Sequence, residues 1–202
     1  MWPCNLWLGK GSIVYKSILG LESPTISIHA ELIERAIRND PEAQFDLYKK
    51  YNAAMYNTAL RICRNTALAE DVIQESFLNA FNSLGYYRGD ASFGSWLKRI
   101  VINKAISLSK KESRWELVEN DEVLDTEETV IEASDYDVDT VRLAINELPD
   151  GFRTVLSLYL LEGYDHKEIA EILGITESTS KTQYKRAKER LRVNILEKMK
   201  HG

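Results

Sequence analysis

The chain has 202 residues, enough for one ordinary domain or two small ones, and its 44% apolar and 28% charged composition is that of a soluble globular protein. No stretch approaches the roughly 18 consecutive apolar residues that span a bilayer. The two cysteines, Cys4 and Cys63, do not make a disulfide framework, so a reducing cytoplasm is the expected compartment. A net charge of −5 argues against a nucleic-acid partner until it is mapped along the chain. From Lys111 to Thr140 there are 12 acidic and 2 basic residues, and the remainder carries 24 basic and 19 acidic ones. Lys181 to Lys200 alone holds 8 basic and 2 acidic residues. Two neutral-to-basic blocks are thus separated by an acidic connector, a pattern that favours nucleic acid without proving it.

In chain order, residues 1–24 form an N-terminal extension rich in aromatics and glycine. It lacks a basic segment followed by a clean apolar one, so it does not resemble a secretory signal, and it is expected to be disordered. Residues 25–111 are expected to fold as a first helical domain. Asp40-Pro41 is a helix start, an Asp N-cap with Pro at the first helical position. Phe45, Tyr48, Tyr51 or Ala54, Met55, Ala59 and Ile62 follow at three- and four-residue steps and form one apolar stripe. A second helix is expected from Thr66 to Leu84, with Val72, Phe77, Ala80 and Phe81 inward and Gly85 as its stop. Ser92 can cap a third, whose Phe93, Trp96, Leu97, Ile100 and Leu108 face the core. The opposite face of that helix carries Lys98, Arg99, Asn103, Ser107 and Lys110.

Residues 112–139 have few apolar residues and no sustained period, and like-charge repulsion should keep them extended as a flexible linker. Residues 140–202 form the second domain. Thr140 to Leu148 and Phe152 to Leu161 read as helices, the latter stopped by Gly163. Asp165 and Glu168 then stand as a capping box before a short helix containing Ile169, Ala170 and Ile172. Gly174 sits where the chain must turn with positive φ, Ile175 packs beneath the turn, and Thr176 can cap the last helix. Tyr184, Ala187, Leu191 and Ile195 form the inward stripe of that helix. No strand-like alternation persists, so the fold class is all-α, two small helical domains joined by the acidic linker.

Two constellations carry chemistry. The first is the helix-turn-helix. A small residue at Ala170 allows close helix crossing, and the exposed face of the following helix bears Glu177, Ser178, Lys181, Thr182, Lys185, Arg186 and Lys188. Such a helix fits the major groove. Charge alone favours a solvated Lys-rich helix, but the capping box, small residue and turn glycine together reverse that balance. The second crowds Tyr86, Tyr87, Phe93 and Trp96 beside Arg88, Lys98, Arg99, Lys104 and Lys110. Stacking faces among cations suit single-stranded DNA. Phe93 and Trp96 also lie at core spacing, and packing is the stronger account of them, whereas Tyr86, Tyr87 and Arg88 lie in a loop. Asn103 can hydrogen-bond an extruded base or simply face water. An enzyme is not expected. His29, His166 and His201 are widely separated, and no metalloprotease, phosphate-loop or dinucleotide motif occurs.

Both constellations resemble one family, the extracytoplasmic-function sigma factors, in their regions two and four. The resemblance covers about Asp40 to Lys111 and Val141 to Ile195. It rests on A-E-D-V-I-Q-E-S-F, Y-R-G-D-A-S-F-G-S-W-L, L-P-D-G-F-R-T-V-L and E-G-Y-D-H-K-E-I-A-E-I-L-G-I. It implies an alternative sigma factor that binds core RNA polymerase and promoter DNA, needs no cofactor or metal, and carries no catalytic residue. By position, Asp71, Gln74 and Glu75 match the stretch that grips the clamp helices of polymerase. Tyr87, Arg88, Trp96, Arg99 and Asn103 fall in the part that opens and reads the minus-10 element. Thr179, Lys181, Thr182, Gln183, Lys185 and Arg186 fall on the helix that reads the minus-35 element. An anti-sigma factor wedged between the modules is a family expectation with no residue here to carry it. Ser180, Gln183 and Tyr184 depart from the family's usual apolar residue, Arg and Leu. The rival is a conventional helix-turn-helix regulator, which shares the C-terminal half and leaves A-E-D-V-I-Q-E-S-F unexplained.

Overall fold

The computed structural model describes residues 29–111 and 137–201; the N-terminal extension and nearly all of the acidic linker lie outside the described residues. These residues form eight α-helices and one 3-10 turn, with no strand among them. In the first module, α1 spans Ala30–Ile37 and α2 spans Pro41–Cys63. The Asp40 carboxylate accepts from the backbone N–H groups of Glu42 and Ala43, at 3.0 and 3.3 Å, and so answers two of the donors that every helix start leaves open. Arg35 Nε donates to the same carboxylate at 2.7 Å, which fixes α1 against the start of α2. Helix α3, Thr66–Ser83, is capped by Asn65, whose side chain accepts from Leu68 N at 3.1 Å. Gly85 does not end it with a left-handed residue; the chain tightens instead into the 3-10 turn Leu84–Tyr86, held by burial of Leu84. Helix α4, Phe93–Lys111, begins under the Ser92 hydroxyl, which accepts from Ser95 N at 3.2 Å.

Helices α2, α3 and α4 pack on one another around Leu47, Met55, Ala59, Ile62, Val72, Phe77, Ala80, Leu97, Val101 and Ile102, all buried. At about 1.5–3 kcal/mol for each large side chain removed from water, this cluster is the main stabilising term of the module. The stripe of α2 differs from expectation at its start. Ala43 and Leu47 point inward, and Phe45 is 58% exposed with Lys49 Nζ 4.7 Å from its ring centroid. The physical reason is helical phase: positions 43, 47, 55, 59 and 62 share one face, and 45 lies off it.

The second module comprises α5 (Val138–Asn146), α6 (Asp150–Leu160), α7 (His166–Leu173) and α8 (Glu177–His201). Leu148, Phe152, Leu156 and Ala187 form its small core. The long α8 is held along its length by Asn194, buried and donating to Ala144 O at 3.2 Å, and by Lys198, which pairs with Glu147 at 2.5 Å.

The two modules pack directly on each other, which the picture of two tethered bodies does not contain. Val155, Leu158, Ile169 and Leu173 of the second module belong to the same continuous apolar cluster as the first. Gly174, at φ 72°, makes the turn between α7 and α8, and an added Cβ there meets nothing within 4 Å. Gly174→Ala therefore isolates the backbone term, and we expect urea denaturation to show a loss of about 1–2 kcal/mol with the fold retained.

Candidate nucleic-acid interface

The turn motif forms as its residues dictate. Asp165 Oδ1 accepts from Glu168 N at 2.8 Å, while Glu168 Oε2 accepts from Asp165 N at 2.9 Å, completing the reciprocal cap of α7. The N–H groups of Gly174 and Ile175 both donate to Ala170 O, at 2.9 and 3.0 Å. Thr176 Oγ1 then accepts from Thr179 N at 3.0 Å and starts α8. Ala170 is buried at the crossing of the two helices.

On α8, Lys181, Thr182 and Lys185 are exposed, and Thr179 and Arg186 are half-buried. Lys181 Nζ lies 2.7 Å from Glu177, whose carboxyl is held below its usual range by that hydrogen bond. Gln183, expected to read the groove, is instead 3% exposed. Ser180, Gln183, Ala187 and Asn194 recur at steps of three, four and seven residues, one face of a helix, and are all buried, so Gln183 belongs to the inward stripe. The departure at Ser180 also finds its explanation. Its hydroxyl is fully buried and lies 3.0 Å from His166 Nδ1 on α7, a polar pair joining the two helices of the motif. The Tyr159 ring stacks on His166 at 4.6 Å between centroids and an interplanar angle of 19°.

In the first module, Tyr87, expected at the minus-10 element, lies against the core. It is buried, its hydroxyl donates to Ala91 O at 2.6 Å, and its ring sits 5.3 Å from Trp96 and 6.0 Å from Phe93. That burial raises the phenol above its ordinary value. Phe93 and Trp96 occupy much of its ring surface, although Tyr87 still borders the cleft, whereas Tyr86 is 83% exposed. Arg88 and Asn103 are exposed and Trp96 is half-buried. Arg99 is turned toward the second module, 5.7 Å from the Tyr164 ring centroid and 4.0 Å from Glu171. Asp71, Gln74 and Glu75 lie exposed on one face of α3, as their spacing requires, with Glu75 ion-paired to Lys104 of α4.

Sequence reasoning missed Glu162, Arg61, Lys98 and Arg153 as a set. Glu162, with its side chain 4% exposed, accepts from Arg61 and from Thr58 Oγ1 (3.1 Å), and pairs with Lys98 Nζ at 2.8 Å. Burial opposes its ionised form, but the hydrogen bonds from Lys98 and Arg61 outweigh burial and hold the carboxyl below its usual range. Arg153 is 1% exposed; it donates to Asp150 (2.6 Å), Leu148 O (3.1 Å), Arg61 O (3.3 Å) and Ile62 O (3.4 Å). The available signal was a lone cation inside the apolar run G-F-R-T-V-L. Among the described residues there is no cluster of three or more His, Cys, Asp or Glu placed to hold a metal, and no helix long and apolar enough to cross a membrane.

Residues 47–114 match the model of sigma-70 region 2, and residues 139–191 match that of sigma-70 region 4. The RNA polymerase sigma-H factor of Pseudomonas aeruginosa is 32% identical over 172 residues, 79% of this chain and 89% of that protein. The ECF RNA polymerase sigma-E factor of Haemophilus influenzae is 30% identical over 180 residues, 81% of this chain and 93% of that protein. The chain is an extracytoplasmic-function sigma factor. A solved complex of the sigma factor RpoE with the anti-sigma factor NepR from Bartonella quintana shares the fold, with a TM-score of 0.52 and 22% identity over 74% of this chain and 94% of that one. The first module of this sigma factor is therefore region 2 and the second region 4, and the chain acts as an alternative sigma factor in transcription initiation. The rival of a conventional regulator fails on residues 47–114, which such a protein has no reason to carry.

The Ser180–His166 pair should behave as one unit of region 4. Ser180→Ala and His166→Ala are each expected to cost about 1–3 kcal/mol in thermal or urea denaturation. The double variant should cost less than the two together, by about 0.5 kcal/mol or more, in a double-mutant cycle.

Proposed function

We propose that the sigma factor holds promoter DNA with two separate faces that polymerase sets at the right distance. Region 4 supplies α8, with Lys181, Thr182 and Lys185 outward and Thr179 and Arg186 at its margins, for the minus-35 element. Region 2 supplies Tyr86, Arg88, Trp96, Arg99 and Asn103 for the minus-10 element. Asp71, Gln74 and Glu75, exposed together on α3, face the clamp helices of the largest polymerase subunit. The observation that carries this assignment is the segregation of α8: its polar pair and apolar residues are sealed inward, and its exposed turns present Lys181, Thr182 and Lys185. A cation on such a face displaces condensed counterions from phosphate, which gives affinity that falls steeply with salt.

The role is one of binding rather than catalysis, and the site of action is the cytoplasm, where polymerase and DNA are. Opening the duplex costs a few kcal/mol per unstacked base. In this mechanism the energy comes from capture of bases by region 2, with Trp96 as a stacking edge and Asn103 as a hydrogen-bonding group. Promoter elements two helical turns apart are separated by about 70 Å. The linker of about 28 residues reaches roughly 95 Å when extended, so it can bridge them only if polymerase holds it stretched. Acidic residues suit a path through a basic channel. An anti-sigma factor, such as the partner in the Bartonella complex, is the natural inhibitor of such a subunit.

Run-off transcription with core polymerase and genomic DNA tests the proposal: defined start sites are expected only when the sigma factor is present. Asp71→Arg combined with Gln74→Ala should abolish pull-down of core polymerase without lowering helicity. With holoenzyme, Lys185→Ala should weaken promoter binding nearly uniformly across sequences and reduce the slope of log affinity against log salt by about 1.

A further inference from the structure

The contacts between regions 2 and 4 have a character that promoter recognition does not need. Glu162, in the loop between α6 and α7, places its buried carboxylate between Arg61 of α2 and Lys98 of α4. Arg153 of α6 reaches into region 2 and donates to Arg61 O and Ile62 O, two of the last carbonyls of α2, so region 4 supplies the C-terminal cap of a region 2 helix. Lys110, at the end of α4, returns the arrangement by donating to Leu173 O at the end of α7, at 3.1 Å. Each module satisfies a helix terminus of the other. Beside these bonds lies a cleft of about 430 Å³, walled by Tyr86, Arg88, Trp96 and Arg99 from region 2 and by Tyr164 and Glu168 from region 4.

We propose that this closed arrangement is a self-inhibited state of the sigma factor, latched by Glu162, in which the front of the helix-turn-helix engages Arg99 and walls off one side of the minus-10 face. The inference rests on the assignment of Trp96 and Arg99 to that face. Three carboxylates of region 4 lie on or beside the cationic rim of region 2, where they would compete with phosphate: Glu162 on Lys98, Glu171 on Arg99, and Glu168 in the wall of the cleft. Tyr164 occupies the Arg99 side chain as a stacked base would. The latch is incompatible with simultaneous use of both faces, because elements some 70 Å apart cannot be reached by modules in contact. Polymerase must therefore exchange the contacts of Glu162 and Arg153 for its own, and the free chain is held away from DNA until it does.

The full-length protein tests this by small-angle X-ray scattering and DNA binding. Arg61→Glu and Glu162→Arg each place like charges in the buried contact, and each should raise the radius of gyration by roughly a quarter or more, with helicity by circular dichroism unchanged. The double variant restores opposite charges and should return to the compact value. Arg61→Glu makes the protein more negative, which by itself weakens DNA binding. It should nonetheless bind the single-stranded non-template minus-10 segment of a promoter mapped by run-off on the order of tenfold more tightly, because the competent fraction rises. Compact single variants, or a double variant that stays open while fully helical, would overturn the latch. Unchanged or weaker binding by an opened Arg61→Glu would overturn the masking. Glu162→Arg should still support run-off transcription with core polymerase. If wild type and variant are both silent there, it is the sigma-factor assignment of the faces that fails, whereas a variant that transcribes but stays compact sinks only the latch.

Discussion

A carboxylate taken out of water loses several kcal/mol of hydration, and the loss is recovered only when cations and hydrogen bonds are already in place around it. Glu162 meets that condition solely because α2 and α4 of region 2 bring Arg61, Thr58 and Lys98 to it. Arg153 obeys the same rule with opposite sign: a buried guanidinium needs several acceptors, and it finds them at Asp150, Leu148, Arg61 and Ile62. The cations on Glu162 all come from the other module, and Arg153 draws two of its four acceptors from there. The position of region 4 on region 2, the cleft between them and the engagement of Arg99 all depend on these two ions being matched across the boundary.

This arrangement joins packing to function through a conflict of uses. Region 2 keeps a rim of cations and aromatics beside its core, and region 4 keeps acids on the front of its helix-turn-helix. Brought together, they neutralise each other; drawn apart, each exposes surface suited to nucleic acid or to polymerase. The apolar share of the boundary, Val155, Leu158, Ile169 and Leu173, adds affinity without setting orientation. The polar bonds set it, since an ion displaced by one helical turn would lose its partners while an aliphatic side chain would keep most of its contacts.

Local chemistry is legible in the chain itself. The Asp40-Pro41 start, the Asp165–Glu168 box, the Gly174 turn and the Thr176 cap each depend on residues within four positions of one another, and all formed as their types require. The region 2 and region 4 families were legible because their motifs are long and occur in order. What escaped was set by phase and by distant partners. Phe45 lies off the stripe fixed by Ala43 and Leu47; Gln183 lies on the stripe of Ser180 and Ala187; Tyr87 is drawn inward by Phe93 and Trp96. Glu162 meets Arg61 across 101 positions, and nothing in either local segment announces the other.

The pair formed by Ser180 and His166 bears on how this protein can change over time. A polar contact sealed beneath α8 locks the rotation of that helix by directional bonding, where a greasy side chain would lock it by fit alone. Orientation is thereby decided entirely from underneath. Positions 181, 182 and 185 on the outer surface carry none of that burden, so on the proposed reading of α8 they are open to substitution one at a time, and target preference can drift along a lineage while the fold holds.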